Sequence, residues 1–169
     1  MSIYFIADTH FSEEGMLHYE NRPFENTEEM DATIISNWNR LIKDEDCIYV
    51  LGDWGAEGHE AEILNKLKGR KYLVKGNHDV HPNEYYRKAG FAEVYDYPII
   101  LQEFWILSHE PLYVNRNMPY ANIFGHVHNS PLFKDYSSQH FCVSLERIHY
   151  VPIAFEEIVR KVKSGDCVI

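Results

Sequence analysis

The amino-acid sequence predicts an α/β fold in which two sheets pack face to face with helices outside. In the first half, short apolar runs alternate with segments of helical periodicity, a pattern typical of a parallel sheet. In the second half, short apolar runs follow one another, and one helical segment closes the chain. Residues 1–169 are expected to form one domain, because this length suits a single hydrophobic core.

The first half contains three predicted strands separated by two predicted helices. The strands are 3–7, 47–51 and 71–75, and the helices are 27–43 and 57–67. Trp38 lies on the apolar stripe of the first helix and is therefore expected in the core. Asn26 or Thr27 caps that helix. Residues 11–26 are predicted to be an irregular loop, since Pro23 opposes a helix through that point.

The second half is predicted to be rich in strands. They are 97–102, 104–108, 121–124, 141–145 and 150–154, followed by a helix over 155–163. The first two of these strands form a hairpin or lie side by side. A strand-rich half that follows a βαβ half favours two packed sheets over one open sheet.

Composition narrows the possible functions. The formal net charge of −10 argues against a general nucleic-acid binder, which depends on Lys and Arg to neutralise phosphates. No apolar run approaches the roughly 20 residues that span a bilayer, and the N-terminal residues do not resemble a signal peptide. Cys47, Cys142 and Cys167 have no metal or redox spacing, so we expect reduced thiols and a cytoplasmic protein.

Five short polar clusters carry the functional signal, and each directly follows a predicted strand. They are Asp8-Thr9-His10, Gly52-Asp53, Gly76-Asn77-His78-Asp79, Ser108-His109-Glu110 and Gly125-His126-Val127-His128. Open α/β sheets place their sites at the carboxyl ends of strands, so these clusters are expected to converge. Carboxylate, amide and imidazole groups are metal ligands, and the set therefore predicts a metal centre.

The order and residue types of these clusters resemble the calcineurin-like metallophosphoesterases, in particular their small single-domain bacterial and phage-type members. The resemblance extends from Ile3 to about Glu157. It implies a four-layer α/β/β/α sandwich of two mixed sheets flanked by helices. It also implies two divalent metal ions and hydrolysis of a phosphate ester by a hydroxide that bridges them.

The resemblance also implies a ligand set. One ion is assigned Asp8, His10 and His128, the other is assigned Asn77, His109 and His126, and Asp53 is shared. Two ions about 3.5–4 Å apart need a bridging anion to offset their repulsion, a role that suits the two oxygens of Asp53. Nitrogen and oxygen ligands fit Mn²⁺, which we favour, and also Fe, Zn²⁺, Co²⁺ or Ni²⁺.

Three further residues have two open interpretations each. By resemblance, His78 faces the substrate beside Asn77, as a general acid or an electrostatic stabiliser. Asp79 either orients His78 or forms a turn, and Arg22 either clamps a phosphate or braces its loop. The residues after His109 are candidates for a pocket wall or for plain surface, namely Glu110, Tyr113, Asn115 and Arg116.

The expected activity is a metal-dependent phosphoesterase acting on a small phosphodiester or nucleotide-type substrate. Phosphoprotein phosphatases carry arginines in their second and third motifs, whereas this chain has Trp54 after Asp53 and Lys75 before Gly76. A phosphomonoesterase is the nearest alternative, and a non-catalytic binding scaffold or a nuclease is less favoured. No stable nucleic-acid or membrane partner is expected, and the sequence leaves the oligomeric state open.

Overall fold

Two mixed β-sheets organise the structure, a computed structural model that describes residues 1–133 and 138–164. In chain order the elements are β1 Ile3–Ile6, α1 Glu14–Tyr19, α2 Thr27–Leu41, β2 Cys47–Val50, α3 Glu60–Lys66, β3 Arg70–Val74, α4 Asn83–Ala89, β4 Glu93–Tyr95, β5 Ile99–Leu101, β6 Trp105–Leu107, β7 Ala121–Phe124, β8 His140–Cys142, β9 Ile153–Ala154 and α5 Phe155–Ser164. Five strands form one sheet and four form the other.

The first sheet has the strand order β4-β3-β2-β1-β9. Strands β1 to β4 are parallel, with Ile3 opposite Cys47 and Cys47 opposite Arg70, whereas β9 is antiparallel to β1. Parallel neighbours require crossover connections, and α2 and α3 lie within the connections of the three central strands. The predicted βαβ arrangement is therefore confirmed.

The second sheet has the order β5-β6-β7-β8, with β5 antiparallel and the other three strands parallel. The two sheets meet where Ala7 pairs with the segment after β8. The Ala7 N–H donates to the Val143 carbonyl at 2.9 Å, and the Ala7 carbonyl accepts from the Leu145 N–H at 3.2 Å. The predicted α/β fold of two mixed sheets with flanking helices is confirmed.

Apolar side chains from both sheets fill a common core. Phe5 and Leu73 enter it from the first sheet, and Leu107 and Ile123 enter it from the second. Trp38 of α2 is completely buried, as its position on the helical stripe predicts. The two sheets and their helices thus hold the strand ends, which carry the polar clusters, in fixed relative positions.

The structure differs from the prediction mainly in short elements. Helix α1 lies inside the segment predicted to be irregular, and neither α4 nor β4 is predicted. Helix α1 has six residues, contains Gly15 and buries only Leu17, so it shows no helical stripe. Short helices gain their stability from tertiary contacts rather than from sequence periodicity, which explains why they were missed.

The predicted strands at 141–145 and 150–154 are shorter in the structure, where β8 ends at Cys142 and β9 begins at Ile153. The Asn26 side chain caps α2 by accepting from the Glu29 N–H at 2.8 Å.

Cys142 is a buried free thiol, and Cys167 lies outside the described residues. Within residues 1–133 and 138–164, the helices are too short or too polar to cross a membrane.

Candidate metal centre

The polar clusters converge at the carboxyl ends of strands from both sheets. Asp8 and His10 follow β1, Asp53 follows β2, Asn77, His78 and Asp79 follow β3, His109 follows β6, and His126 and His128 follow β7. The backbone links neighbouring ends directly, since the Asp8 N–H donates to the Gly52 carbonyl at 3.0 Å and the His10 N–H donates to the Asp53 carbonyl at 3.0 Å.

One group of converging donors consists of Asp8, His10 and His128. A carboxylate oxygen and one nitrogen of each ring all lie within 4.8 Å of one another. The Asp8 carboxylate is fully buried and accepts from the His126 backbone N–H with both oxygens, at 3.0 and 2.9 Å. This hydrogen bond ties the end of β7 to the end of β1.

A second group consists of Asp53, His109 and His126, whose donor atoms also lie within 4.8 Å of one another. Asn77 completes it, because its Oδ1 lies 3.0 Å from His109 Nε2 and 3.0 Å from His126 Nδ1. These two ring nitrogens are themselves 3.0 Å apart. Three possible ligand atoms, one amide oxygen and two ring nitrogens, therefore lie 3.0 Å from one another.

Asp53 lies between the two groups. Its Oδ2 is 3.6 Å from His10 Nε2 and 3.4 Å from His109 Nε2. Its Oδ1 accepts from the His78 backbone N–H at 3.0 Å, which fixes the orientation of the carboxylate. A single oxygen of Asp53 thus lies near a ring nitrogen of a histidine in each group.

The donor groups fit metal ions in three respects. His10 Nε2 is buried and has no hydrogen-bond partner among the described residues, although buried polar atoms are almost always paired. Metal–ligand distances of about 2.0–2.2 Å place neighbouring ligands of one ion roughly 3.0–3.5 Å apart, which matches the spacing around Asn77. The donors are nitrogen and oxygen atoms, as first-row divalent ions accept.

The backbone around the donors is strained. Five of the predicted ligands have a left-handed conformation, with φ of 57° at Asp8, 45° at His10, 54° at Asp53, 69° at His126 and 45° at His128. This region is uncommon for residues other than glycine, and such strain concentrates at functional sites. The left-handed conformation turns the chain sharply at each of these strand ends, and the side chains converge.

Two glycines permit the close approach of these strand ends. A Cβ atom at Gly76 would overlap the Asp53 carboxylate, and a Cβ atom at Gly52 would overlap the His109 ring. The glycines that precede the predicted ligands are therefore required by packing at these two positions, in addition to any role in turning the chain.

Asp53 and His109 strongly affect each other's ionisation. Burial opposes the charge of Asp53, but the hydrogen bond and positive charge of His109 outweigh it and lower the pKa of Asp53 to about 2. Burial likewise disfavours protonation of His109, but Asp53 raises the pKa of His109 to about 9. The negative charge of Asp53 is thus balanced by the positive charge of His109 beside it. Burial, together with a smaller effect of the charge of Asp53, raises the pKa of Asp8 despite the nearby His128 and His109.

Comparison with known proteins agrees with this geometry. The model of the calcineurin-like phosphoesterase family matches residues 1–157. The chain belongs to this family. It is also 33% identical over 174 residues to uncharacterized protein MJ1445 of Methanocaldococcus jannaschii, covering 98% of this chain and 94% of that protein.

Two further relatives of this calcineurin-like phosphoesterase differ in how much of the chain they match. The Gene 66 protein of Mycobacterium phage L5 is 29% identical over 85 residues, which cover 47% of this chain and 41% of the phage protein. The crystal structure of protein AQ665 of Aquifex aeolicus, of unknown function, superposes with a TM-score of 0.72 at 29% identity. That match covers 94% of this chain and 98% of the other, so it supports the whole fold.

Family membership and the two donor groups support a metal-dependent phosphoesterase. His78 is well placed for such chemistry because its side chain is exposed beside the donors. Its ring centroid is 5.2 Å from that of His10, with the rings edge to face. His78 is absent from the two donor groups described above, but it forms a third group with His10 and Glu13, whose possible ligand atoms also lie within 4.8 Å of one another. Its expected place facing the substrate stays a prediction.

Of the two interpretations of Asp79, the structure does not support the one in which it orients His78. Its buried carboxylate accepts three backbone hydrogen bonds, from Asp53 and Gly76 at 2.8 Å and from Trp54 at 3.1 Å. The expectation of a catalytic partnership with the His78 ring is corrected: Asp79 instead joins the strand ends of β2 and β3. Sequence adjacency to His78 was misleading because the carboxylate points into the protein.

Arg22 is also placed differently from the expected phosphate clamp. Its guanidinium is buried, and it donates to the carbonyls of Asp8 at 2.6 Å and Thr9 at 2.9 Å. It also forms an ion pair with Glu146 at 2.8 Å. Its hydrogen-bonding capacity is used within the protein, which corrects the phosphate-clamp hypothesis and favours the alternative of a structural brace.

A cavity of about 280 Å³ opens beside Asn77 and His109. Glu110 lines it together with the exposed Tyr97, whereas Tyr113, Asn115 and Arg116 are not among its lining residues. A larger cavity of about 600 Å³ lies beside β8, β9 and α5 and contains none of the predicted ligands. Of these two cavities, the smaller one therefore lies next to the predicted ligands.

Sequence reasoning missed two carboxylates that contact the metal-site histidines. Glu13 Oε2 lies 2.9 Å from His10 Nδ1, and both carboxylate oxygens of Glu146 lie 3.3 Å from His128 Nδ1. The spacing of Glu13, three residues after His10, is a weak signal in the sequence. Glu146 is 18 residues from His128 and carries no such signal.

Proposed function

We propose that this protein hydrolyses small phosphodiesters or nucleotide-type phosphate esters at a centre of two divalent metal ions. The observation that carries the proposal is the position of Asp53 Oδ2, 3.6 Å from His10 Nε2 and 3.4 Å from His109 Nε2. A shared carboxylate between two donor groups suits two neighbouring ions rather than one.

In this proposal, the first ion is held by Asp8, His10, His128 and Asp53. The second is held by Asp53, Asn77, His109 and His126. Mn²⁺ is favoured, and Fe, Zn²⁺, Co²⁺ and Ni²⁺ also suit these ligands. Bound ions of this kind supply Lewis acidity, which makes hydroxide available near neutral pH and offsets negative charge on phosphoryl oxygens.

His78 is the proposed catalytic side chain. Its backbone N–H is anchored to Asp53, which leaves the exposed imidazole free to face a bound ester. From that position it would donate a proton to the leaving oxygen or stabilise the developing charge there. Asn77 would contact both the second ion and the substrate, because it lines the adjacent cavity.

The size and charge of the site favour a small substrate. The cavity of about 280 Å³ is at the lower end of ligand pockets. The formal net charge of −10 disfavours long polynucleotides. The alternative is a phosphomonoesterase, which is less favoured because no arginine that would recognise a terminal phosphate is found among the residues lining this cavity.

The experiment is hydrolysis of bis-p-nitrophenyl phosphate beside p-nitrophenyl phosphate by metal-stripped protein, with and without added Mn²⁺. Mn²⁺-dependent cleavage that prefers the diester would support the proposal. Preference for the monoester would support the alternative substrate class. Failure to cleave either ester with Mn²⁺, Fe²⁺, Zn²⁺, Co²⁺ or Ni²⁺ would contradict the hydrolytic function for such small esters.

A further inference from the structure

Two histidines of the first donor group each contact a carboxylate through Nδ1. His10 Nδ1 lies 2.9 Å from Glu13, and His128 Nδ1 lies 3.3 Å from both oxygens of Glu146. His109 of the second group instead has the neutral Leu51 carbonyl 2.8 Å from its Nδ1. His10 and His128 therefore each have a carboxylate at the position where His109 contacts a neutral carbonyl oxygen.

We propose that Glu13 and Glu146 are positioning residues, which hold His10 and His128 so that their Nε2 atoms face the first ion. This inference rests on the metal centre proposed above. A carboxylate that accepts from Nδ1–H fixes the tautomer and the ring orientation, and it makes Nε2 a better ligand. The buried and unpartnered Nε2 of His10 is the atom that this arrangement leaves for an ion.

Glu146 is itself held in place by Arg22. The Arg22 Nε donates to Glu146 Oε1 at 2.9 Å, and a terminal nitrogen of the guanidinium lies 2.8 Å from the same oxygen. The guanidinium also donates to the backbone carbonyls of Asp8 and Thr9. Arg22 thereby connects the strand end that carries Asp8 to the carboxylate that holds His128.

Glu13 offers the cleaner test because its side chain is 35% exposed, whereas that of Glu146 is 5% exposed. Glu13 precedes α1 but its side chain makes no capping hydrogen bond, so its removal does not uncap the helix. Glu14, the next residue, is exposed and provides a matched control, since Glu14→Gln changes the net charge by the same amount.

The experiment measures Mn²⁺ binding to metal-stripped protein by calorimetry and by the loss of the free Mn²⁺ paramagnetic resonance signal. Wild type and Glu14→Gln are each expected to bind two ions. The affinity of each site should be the same in both proteins. Glu13→Ala is expected to lower the affinity for one of these ions about 10–100-fold. Glu13→Gln should weaken it less, because the amide oxygen still accepts from Nδ1–H.

A double-mutant cycle separates positioning from a general effect of charge. If Glu13 acts through His10, Glu13→Ala causes no further loss of Mn²⁺ affinity in a His10→Ala protein. An equal loss in both backgrounds would overturn the inference. Glu146→Gln is expected to weaken the same ion, and if it fails to fold, the Glu13 series decides the result.

Two results distinguish this inference from the proposed function. Wild-type affinity at both sites in folded Glu13→Ala and Glu146→Gln proteins would overturn the positioning role and leave the metal centre intact. A wild-type protein that binds no Mn²⁺ and no other divalent ion would overturn the metal centre, and the positioning role with it.

Discussion

Replacing Asp79 should reveal how strongly the two strand ends at the metal centre depend on one buried carboxylate. Its oxygens accept from the backbone N–H groups of Asp53, Trp54 and Gly76. Asp79→Ala would leave three donors without this acceptor, and each buried unsatisfied donor costs roughly 1–3 kcal/mol. Because water can enter the space of the lost carboxylate, we expect a total loss near the lower end, about 3 kcal/mol.

The Asp79→Asn protein should lose less, roughly 1–2 kcal/mol, because its amide oxygen can still accept while its NH₂ group opposes a donor. The assay is urea unfolding of the metal-free proteins, followed by tryptophan fluorescence and analysed by linear extrapolation. Asp44 is exposed, and Asp44→Ala should stay within about 0.5 kcal/mol of wild type as a matched loss of a carboxylate.

The same substitution should also weaken Mn²⁺ binding, because the Asp53 backbone N–H loses its anchor. The reasoning would be refuted if Asp79→Ala unfolded within about 0.5 kcal/mol of wild type. It would also be refuted if Asp79→Ala were less stable than wild type but bound Mn²⁺ with unchanged affinity, since the carboxylate would then support the fold without positioning Asp53.

Three further outcomes are expected. Asp53→Asn should abolish hydrolysis and weaken Mn²⁺ binding. His78→Ala should abolish hydrolysis but retain the metal. Elemental analysis of the purified proteins would show the difference in metal content. Arg22→Ala should lower the free energy of unfolding by about 3–5 kcal/mol, because it removes the guanidinium that pairs with the buried Glu146 carboxylate. A rise in KM at unchanged stability would instead favour the phosphate clamp. Burial raises the pKa of Cys142 to about 12, so at pH 8 its thiol is almost wholly protonated, and mass spectrometry should find it alkylated by iodoacetamide only after unfolding.

Much of the fold and of the candidate site could be predicted from local sequence patterns. Strand β7 has the predicted bounds, and β1 to β3 form the parallel sheet that their alternation with helices indicates. Asp8, Asp53 and Asn77 directly follow buried strands, and parallel strands present their carboxyl ends at one edge. Position in the sequence was therefore sufficient to indicate that these side chains converge.

The short elements could not be predicted in the same way. Helices α1 and α4 each bury a single residue, Leu17 and Tyr86, so neither has the repeated apolar positions from which a helix is predicted. Strand β9 is only two residues long and exists because Tyr4 and Phe5 of β1 provide its partners. Such elements form where the fold offers a neighbour, and that neighbour is distant in the sequence.

The sequence by itself determined the kind of chemistry, because the types of side chain and their order after the strands are local properties. The tertiary structure decided where each charged group points. Arg22 turns toward Glu146, which is 124 residues away, and Asp79 turns toward the backbone of Asp53 rather than toward His78. A buried charge is stable only with partners at hydrogen-bond distance, and folding brings those partners from remote parts of the chain.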